Sequence, residues 1–155
     1  MTRGRTQLVS GTGVRLFQPW ATRIINGDLT FMVRNVGTNF RGTVHLLAAY
    51  QYDQRASAEV SLGFASPRGR VLGTIELQDC SQVSRADLLE GRVPGIAAEA
   101  AKGYPWYFVS SIHPAYLWRF GNPRPWLPPL KYVPKLGGRF WIKDFEVYEK
   151  TDVES

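Results

Sequence analysis

Groups that bind metals or close disulfides are scarce in this chain. Cys80 is the only cysteine, and His45 and His113 are the only histidines. A lone cysteine closes no internal disulfide, which points to a reducing compartment, the cytoplasm being the expected one. These three residues show no ligand spacing, so the sequence predicts no metal centre. His45, flanked by Val44 and Leu46, reads as a satisfied strand residue rather than a base. Gly11-Thr12-Gly13 lacks the rest of a phosphate-binding loop or dinucleotide fingerprint, and no cofactor is expected. No apolar run approaches the ~20 residues of a membrane span, and Met1-Thr2-Arg3-Gly4-Arg5-Thr6-Gln7 has no apolar signal-peptide core. Internal repeats are absent too. What is present is 155 residues, 44% hydrophobic and 21% charged, the composition of one globular domain with a sizeable core, expected to be monomeric.

Acidic residues are missing from one long stretch. Residues 101–143 hold seven Lys and Arg and no Asp or Glu. Residues 1–52 hold six Arg against Asp28 alone, whereas 53–100 hold five Arg against seven acids, and the end from Asp144 holds five acids against Lys150. The net charge of +6 therefore resides in two separate basic blocks. Two such blocks are the footprint expected for a phosphate backbone, the alternative being a mixed solubilising surface.

Residues 1–13 mix Arg, Thr, Ser and Gly without periodicity and read as a flexible basic arm. Leu16-Phe17-Gln18 reads as a short strand, followed by a two-turn helix. Pro19 suits a first helical turn, where its missing N–H would be unpaired anyway. Trp20 with Ile24, and Ala21 with Ile25, lie at i and i+4 and give that helix an apolar face. Gly27 is placed to end it in the left-handed conformation. Thr30–Arg34 and the apolar run opened by Arg41-Gly42 read as the two strands of a hairpin, with Thr30, Met32 and Arg34 on one face of the first.

Further along, Ala56–Leu62 reads as a short helix and Ser66-Pro67-Arg68-Gly69 as a turn. Arg70–Asp79 alternates, with Val71, Gly73, Ile75 and Leu77 on one face, and predicts a half-buried strand. Ser84 with Asp87 has the spacing of an N-cap and its partner, so a helix is expected to Glu90, and another over Pro94–Lys102. Trp106–Ile112 is strand-like. The run 121–138, with Pro123, Pro125, Pro128, Pro129, Pro134, Gly137 and Gly138, reads as an extended surface loop. Phe140-Trp141-Ile142 and Phe145-Glu146-Val147 read as closing strands, before an acidic tail over 149–155. Short strands with a few short helices between them predict an α+β domain over residues 14–148, built on a small, partly open β-barrel.

Several of these segments resemble one family. Gln18-Pro19-Trp20-Ala21, Gly27, Arg34 and Arg41-Gly42 fall in the register of the ASCH domain, a branch of the PUA-like superfamily. Leu72-Gly73-Thr74-Ile75-Glu76-Leu77-Gln78-Asp79-Cys80 is similar to that family's Leu-Gly-x-Val-x-Leu-x-Asp-Cys strand, and Gly137-Gly138-Arg139-Phe140-Trp141 to its closing strand. The resemblance implies a PUA-like barrel with a cleft beside the helix, where Gln18, Thr30 and Arg34 would converge.

Each candidate has two roles open to it. Arg34 could grip a phosphate or carboxylate in a bidentate fork, or bridge structurally at a strand end. Arg41, with Asn35 and Asn39 at the hairpin mouth, could contact phosphate or be an exposed turn residue. The Gln18 amide could read a base edge or cap the helix. Trp20 would stand at the same helix start. Between Tyr104 and Trp126 lie eight of the chain's 20 aromatics, interleaved with Arg119 and Arg124. Aromatics beside cations suit stacking on a single-stranded nucleic acid, with Trp106 the candidate at the cleft, while core packing would claim at least half of them.

Departures from the family bear on catalysis. Some ASCH-like proteins are amidohydrolases acting on acetylcytidine, with a Lys after the glycine, a Thr close behind and a later Glu. Here Leu29 stands at the Lys position and Met32 at that of the Thr, or of the more usual Glu. Leucine can neither attack nor take a proton. Glu90 or Glu99 could supply the late carboxylate, but it lacks its partner. The expectation is an RNA-binding ASCH domain that is not an enzyme of this kind. An ASCH-type metal-dependent ribonuclease and a protein-interaction domain docking through the Pro-rich run are the alternatives.

Overall fold

The computed structural model describes residues 5–52, 67–102, 113–134 and 140–149. These are mostly strand: β1 (Thr6–Gln18), β2 (Phe31–Arg34), β3 (Gly42–Tyr52), β4 (Arg70–Val83), β5 (Ala115–Lys131) and β6 (Trp141–Tyr148). Three short helices accompany them, α1 (Trp20–Ile25), α2 (Arg85–Leu89) and α3 (Ala98–Lys102). Among the described residues the helical share is smaller than the expected α+β class suggests. The strands hydrogen-bond in the order β2-β5-β4-β3-β1-β6. Two compact units are distinguished, one of Met1–Thr30, Gly42–Glu76 and Gly121–Ser155, the other of Phe31–Arg41 and Leu77–Phe120.

In the first unit, β1 begins where an arm was expected. Thr6–Val9 pair antiparallel with Phe145–Tyr148, and Gly13–Leu16 pair in parallel with His45–Ala48. The side chains of Thr6–Thr12 are exposed or half-buried, so no apolar alternation marks them as strand; the backbone ladder to β6 holds them. The register shifts between Val9 and Thr12, where the Gly11 N–H donates to Asp144 Oδ1 at 2.8 Å and Asp144 itself sits at φ +53°. This irregularity explains why β6 reads from sequence as two strands.

The core of this unit is Leu47, Val71, Tyr132, Ile142, Phe145 and Val147, with Val9, Trp126 and Leu130 packed against it. Tyr132 is buried whole. Its hydroxyl donates to Ala48 O at 3.0 Å, and its own carbonyl accepts from Tyr50 Oη at 2.6 Å. Burial is the main reason its phenol is pushed up to about 12. His45 lies edge-on to Trp126 and Phe145, with Nδ1 3.3 Å from Thr12 O, and desolvation holds its pKa below the usual imidazole value.

The first part of the Pro-rich run is strand rather than loop: Gly121–Lys131 form the outer half of β5. β2 opposes only Tyr116–Arg119, so among the described residues the proline-bearing half is an edge on that side, where a missing N–H leaves no ladder bond unmade. Gly73 of β4 permits the close approach on the other side, since a Cβ there would collide with Arg124 O and Pro125 Cα.

In the second unit β2 pairs antiparallel with β5, Phe31 opposite Arg119 and Arg34 opposite Tyr116. The expected β2–β3 hairpin does not form, because β5 and β4 lie between those strands in the sheet. A seven-residue connection without a two-residue turn signature is free to lead elsewhere. Phe31, Met32 and Val33 are all buried, so β2 does not alternate as expected. The Ser84 side chain accepts from Asp87 N at 3.4 Å, which caps α2 as predicted; α3 starts only at Ala98, after a turn through Gly95. The short helix expected over 56–62 and the strand over 106–112 lie outside the described residues, as do 135–139 and 150–155.

Candidate functional site

The predicted site residues divide between the two units. Gln18, Trp20, Thr30 and Arg124 belong to the first, and Arg34, Asn35, Asn39, Arg41 and Arg119 to the second. Trp106 lies outside the described residues.

In the first unit α1 forms where Pro19 and Gly27 place it, and Gly27 takes φ +84° just past its end. Ala21, Ile24 and Ile25 supply the buried face. Gln18 is wholly buried, and its amide is spent on the fold. Oε1 accepts from Thr22 N at 2.9 Å, while Nε2 donates to Thr22 Oγ1 at 2.7 Å and to Pro67 O at 2.6 Å. Of the two roles open to it, the geometry is that of capping: it satisfies a first-turn N–H and ties the helix start to the turn before β4. Trp20 is half-buried beneath the Arg23 guanidinium, 5.7 Å from its ring centroid, a cation–π pair. Thr30 and Arg124 are exposed.

In the second unit the connection after β2 is pinned at successive points. Asn35 Nδ2 donates to Pro114 O at 3.1 Å, and Val36 O accepts from Trp118 Nε1 at 3.0 Å. Phe40 N donates to Thr38 Oγ1 at 3.1 Å. Arg41 Nη1 donates to Thr38 O at 3.0 Å and Phe40 O at 2.7 Å, and its Nη2 to Cys80 O at 3.1 Å. Arg41 is therefore no loose turn residue. Arg119 Nη2 donates to Pro94 O at 2.5 Å. Arg34 is half-buried at the end of β2, and Asn39 is exposed.

Both anchored guanidinium groups face Asp79. Its Oδ1 lies 3.7 Å from Arg41 Nη2 and its Oδ2 3.8 Å from Arg119 Nε. Asp79 is the residue that the charge reading passed over, because it sits in the acidic middle segment; its place in the Asp79-Cys80 pair of the ASCH-like motif was the only signal. The adjoining Cys80 thiol is pushed up chiefly by burial, the opposite of an activated nucleophile. Among the described residues no group of three His, Cys, Asp or Glu is arranged to hold a metal ion. No helix among them is long and apolar enough to cross a membrane.

Of the aromatic cluster, Trp118 and Phe120 are core residues, Tyr116 is half-buried, and Trp126 packs on His45; Tyr104, Tyr107 and Phe108 lie outside the described residues.

No family model matches the chain, and no curated protein matches it in sequence. Solved structures do match. The ASCH protein of Zymomonas mobilis aligns with a TM-score of 0.51 at 14% identity, covering 77% of this chain and 72% of that one. A tyrosine-to-phenylalanine variant of it aligns at 0.50 and 15% identity, covering 77% and 74%. At such identity the likeness speaks to architecture and not to activity. Sequence motifs in register and an architecture shared over three quarters of the chain lead to one conclusion: this protein has an ASCH-like fold.

Proposed function

We propose that the chain is a nucleic-acid-binding module of the PUA-like class, with RNA as its ligand, acting as a monomer in the cytoplasm. The observation that carries this reading is the meeting of Arg41 and Arg119 at Asp79. One comes from the basic block at 1–52 and the other from the acid-free block at 101–143, and each guanidinium is held in place by backbone carbonyls. Arg34, Asn35 and Asn39 belong to the same unit and are the further candidates there for polar contact with a phosphate backbone. Trp20, Thr30 and Arg124 of the first unit are candidates in their own right for stacking and charge, as is Trp106 for stacking, while Gln18 positions the helix that carries Trp20. Phosphate contacts supply affinity, and a base held against an aromatic or amide supplies selectivity.

The test is a titration of a fluorescein-labelled single-stranded RNA by anisotropy at several salt concentrations. Each neutralised phosphate releases condensed counterions, so the logarithm of the binding constant should fall against log salt with a slope of about −0.7 per phosphate contact. Binding that is tight but insensitive to salt would overturn the reading and point to a neutral small ligand or a protein partner.

A further inference from the structure

Asp79 occupies an unusual place between two arginines. A carboxylate that merely neutralised two arginines would be expected to hydrogen-bond them at 2.7–2.9 Å, as charge-assisted pairs do. Here both approaches are near 4 Å, at 3.7 and 3.8 Å, and the Asp79 side chain is 48% exposed. The guanidinium groups do not depend on it for position. Arg41 is fixed by the carbonyls of Thr38, Phe40 and Cys80, and Arg119 by that of Pro94. Gly95 takes part in this seating. It sits at φ +79°, and a Cβ there would stand 2.9 Å from Arg119 Nη1, so any other residue would both strain the turn and push the guanidinium away.

The three charges thus form a preset cationic pair with one loosely held internal counter-ion. We infer that Asp79 acts as a built-in competitor for the phosphate that Arg41 and Arg119 would otherwise bind, and so sets the affinity of the nucleic-acid site. The inference rests on the RNA-binding reading above. A carboxylate and a phosphate oxygen present the same chemistry to a guanidinium fork. The carboxylate is held at ion-pair distance and not in a tight bond, so an incoming phosphate displaces or bypasses it at little structural cost. A site so built binds more weakly than its two arginines allow, and it releases its ligand readily.

The experiment compares wild type, Asp79→Asn and Glu146→Gln with the same labelled single-stranded RNA. Glu146→Gln removes one negative charge from the first unit, where it accepts from Thr6 Oγ1. Asp79→Asn should tighten binding at least about threefold at moderate salt, the scale of one exposed charge pair, and steepen the salt slope by up to about 0.7. Glu146→Gln should tighten it less than twofold. Adding Gly95→Ala or Arg119→Ala to Asp79→Asn should abolish the gain. Thermal midpoints of every variant, read alongside, separate lost binding from lost fold. Salt-dependent binding by wild type that is unchanged in Asp79→Asn, or raised equally by Glu146→Gln, overturns the inference and leaves the RNA reading standing. Absence of salt-dependent binding by wild type and Asp79→Asn alike overturns both.

Discussion

Replacing Gln18 by Leu tests whether its amide is a structural brace. Leucine keeps most of the buried volume but leaves the Thr22 N–H, the Thr22 hydroxyl and the Pro67 carbonyl without the partners that now stand 2.9, 2.7 and 2.6 Å away. Each buried group stranded in this way costs about 1–3 kcal/mol, less where water reaches it, as it partly does at Pro67. The expected loss is roughly 3–5 kcal/mol, a large share of the ~5–15 kcal/mol that holds a domain of this size folded. Urea denaturation followed by tryptophan fluorescence measures it. Gln18→Glu refines the test. It retains an acceptor for Thr22 N but faces Pro67 O with a second acceptor until the carboxyl is protonated. Folding then raises that carboxyl's pKa, so the stability gap to wild type should be small at acid pH and widen as pH rises. A Leu variant within about 1 kcal/mol of wild type would refute the brace and return Gln18 to the ligand side.

Two further predictions concern pH. Burial pushes the Tyr132 phenol up to about 12 against an ordinary 10, so its contribution is complete below pH 10 and is lost as pH rises towards 12, a change of at most about 2–3 kcal/mol. Tyr132→Phe should lose about 1 kcal/mol at neutral pH with the Ala48 bond and flatten the alkaline limb; alkaline denaturation curves that superpose for the two proteins would count against this. For His45 the shift is downward, so the fold favours the neutral ring and stability should fall as pH drops below the ordinary value of 6.5. His45→Phe, which keeps an aromatic against Trp126 and Phe145, should remove that acid dependence, and an NMR titration placing His45 at or above 6.5 would contradict it.

How far the chain could be read from its letters depends on how far each feature reaches along it. The start and end of α1 at Pro19 and Gly27, the Ser84 cap of α2 and the burial of Val71, Ile75 and Leu77 in β4 were all legible. Each rests on hydrogen bonds or side-chain periodicity within a few residues. The ASCH-like motifs were legible for the same reason, as short strings in order. Three other features gave no such local sign. The ladder holding Thr6–Val9 to β6 spans the whole chain and leaves exposed side chains with no pattern. The prolines of β5 look like a loop until an edge position makes their missing N–H groups harmless. β2 pairs not with its successor but with a strand more than 80 residues on. The candidate site divides along the same line. Charge counting found the two basic blocks, and the Arg41-Gly42 motif and the aromatic run around Arg119 marked the two arginines, because these are properties of local sequence. Their convergence on Asp79, and the burial of the Gln18 amide against Pro67, depend on contacts between distant segments, whose partners are chosen by which buried groups and strand edges must be satisfied once the whole chain has packed.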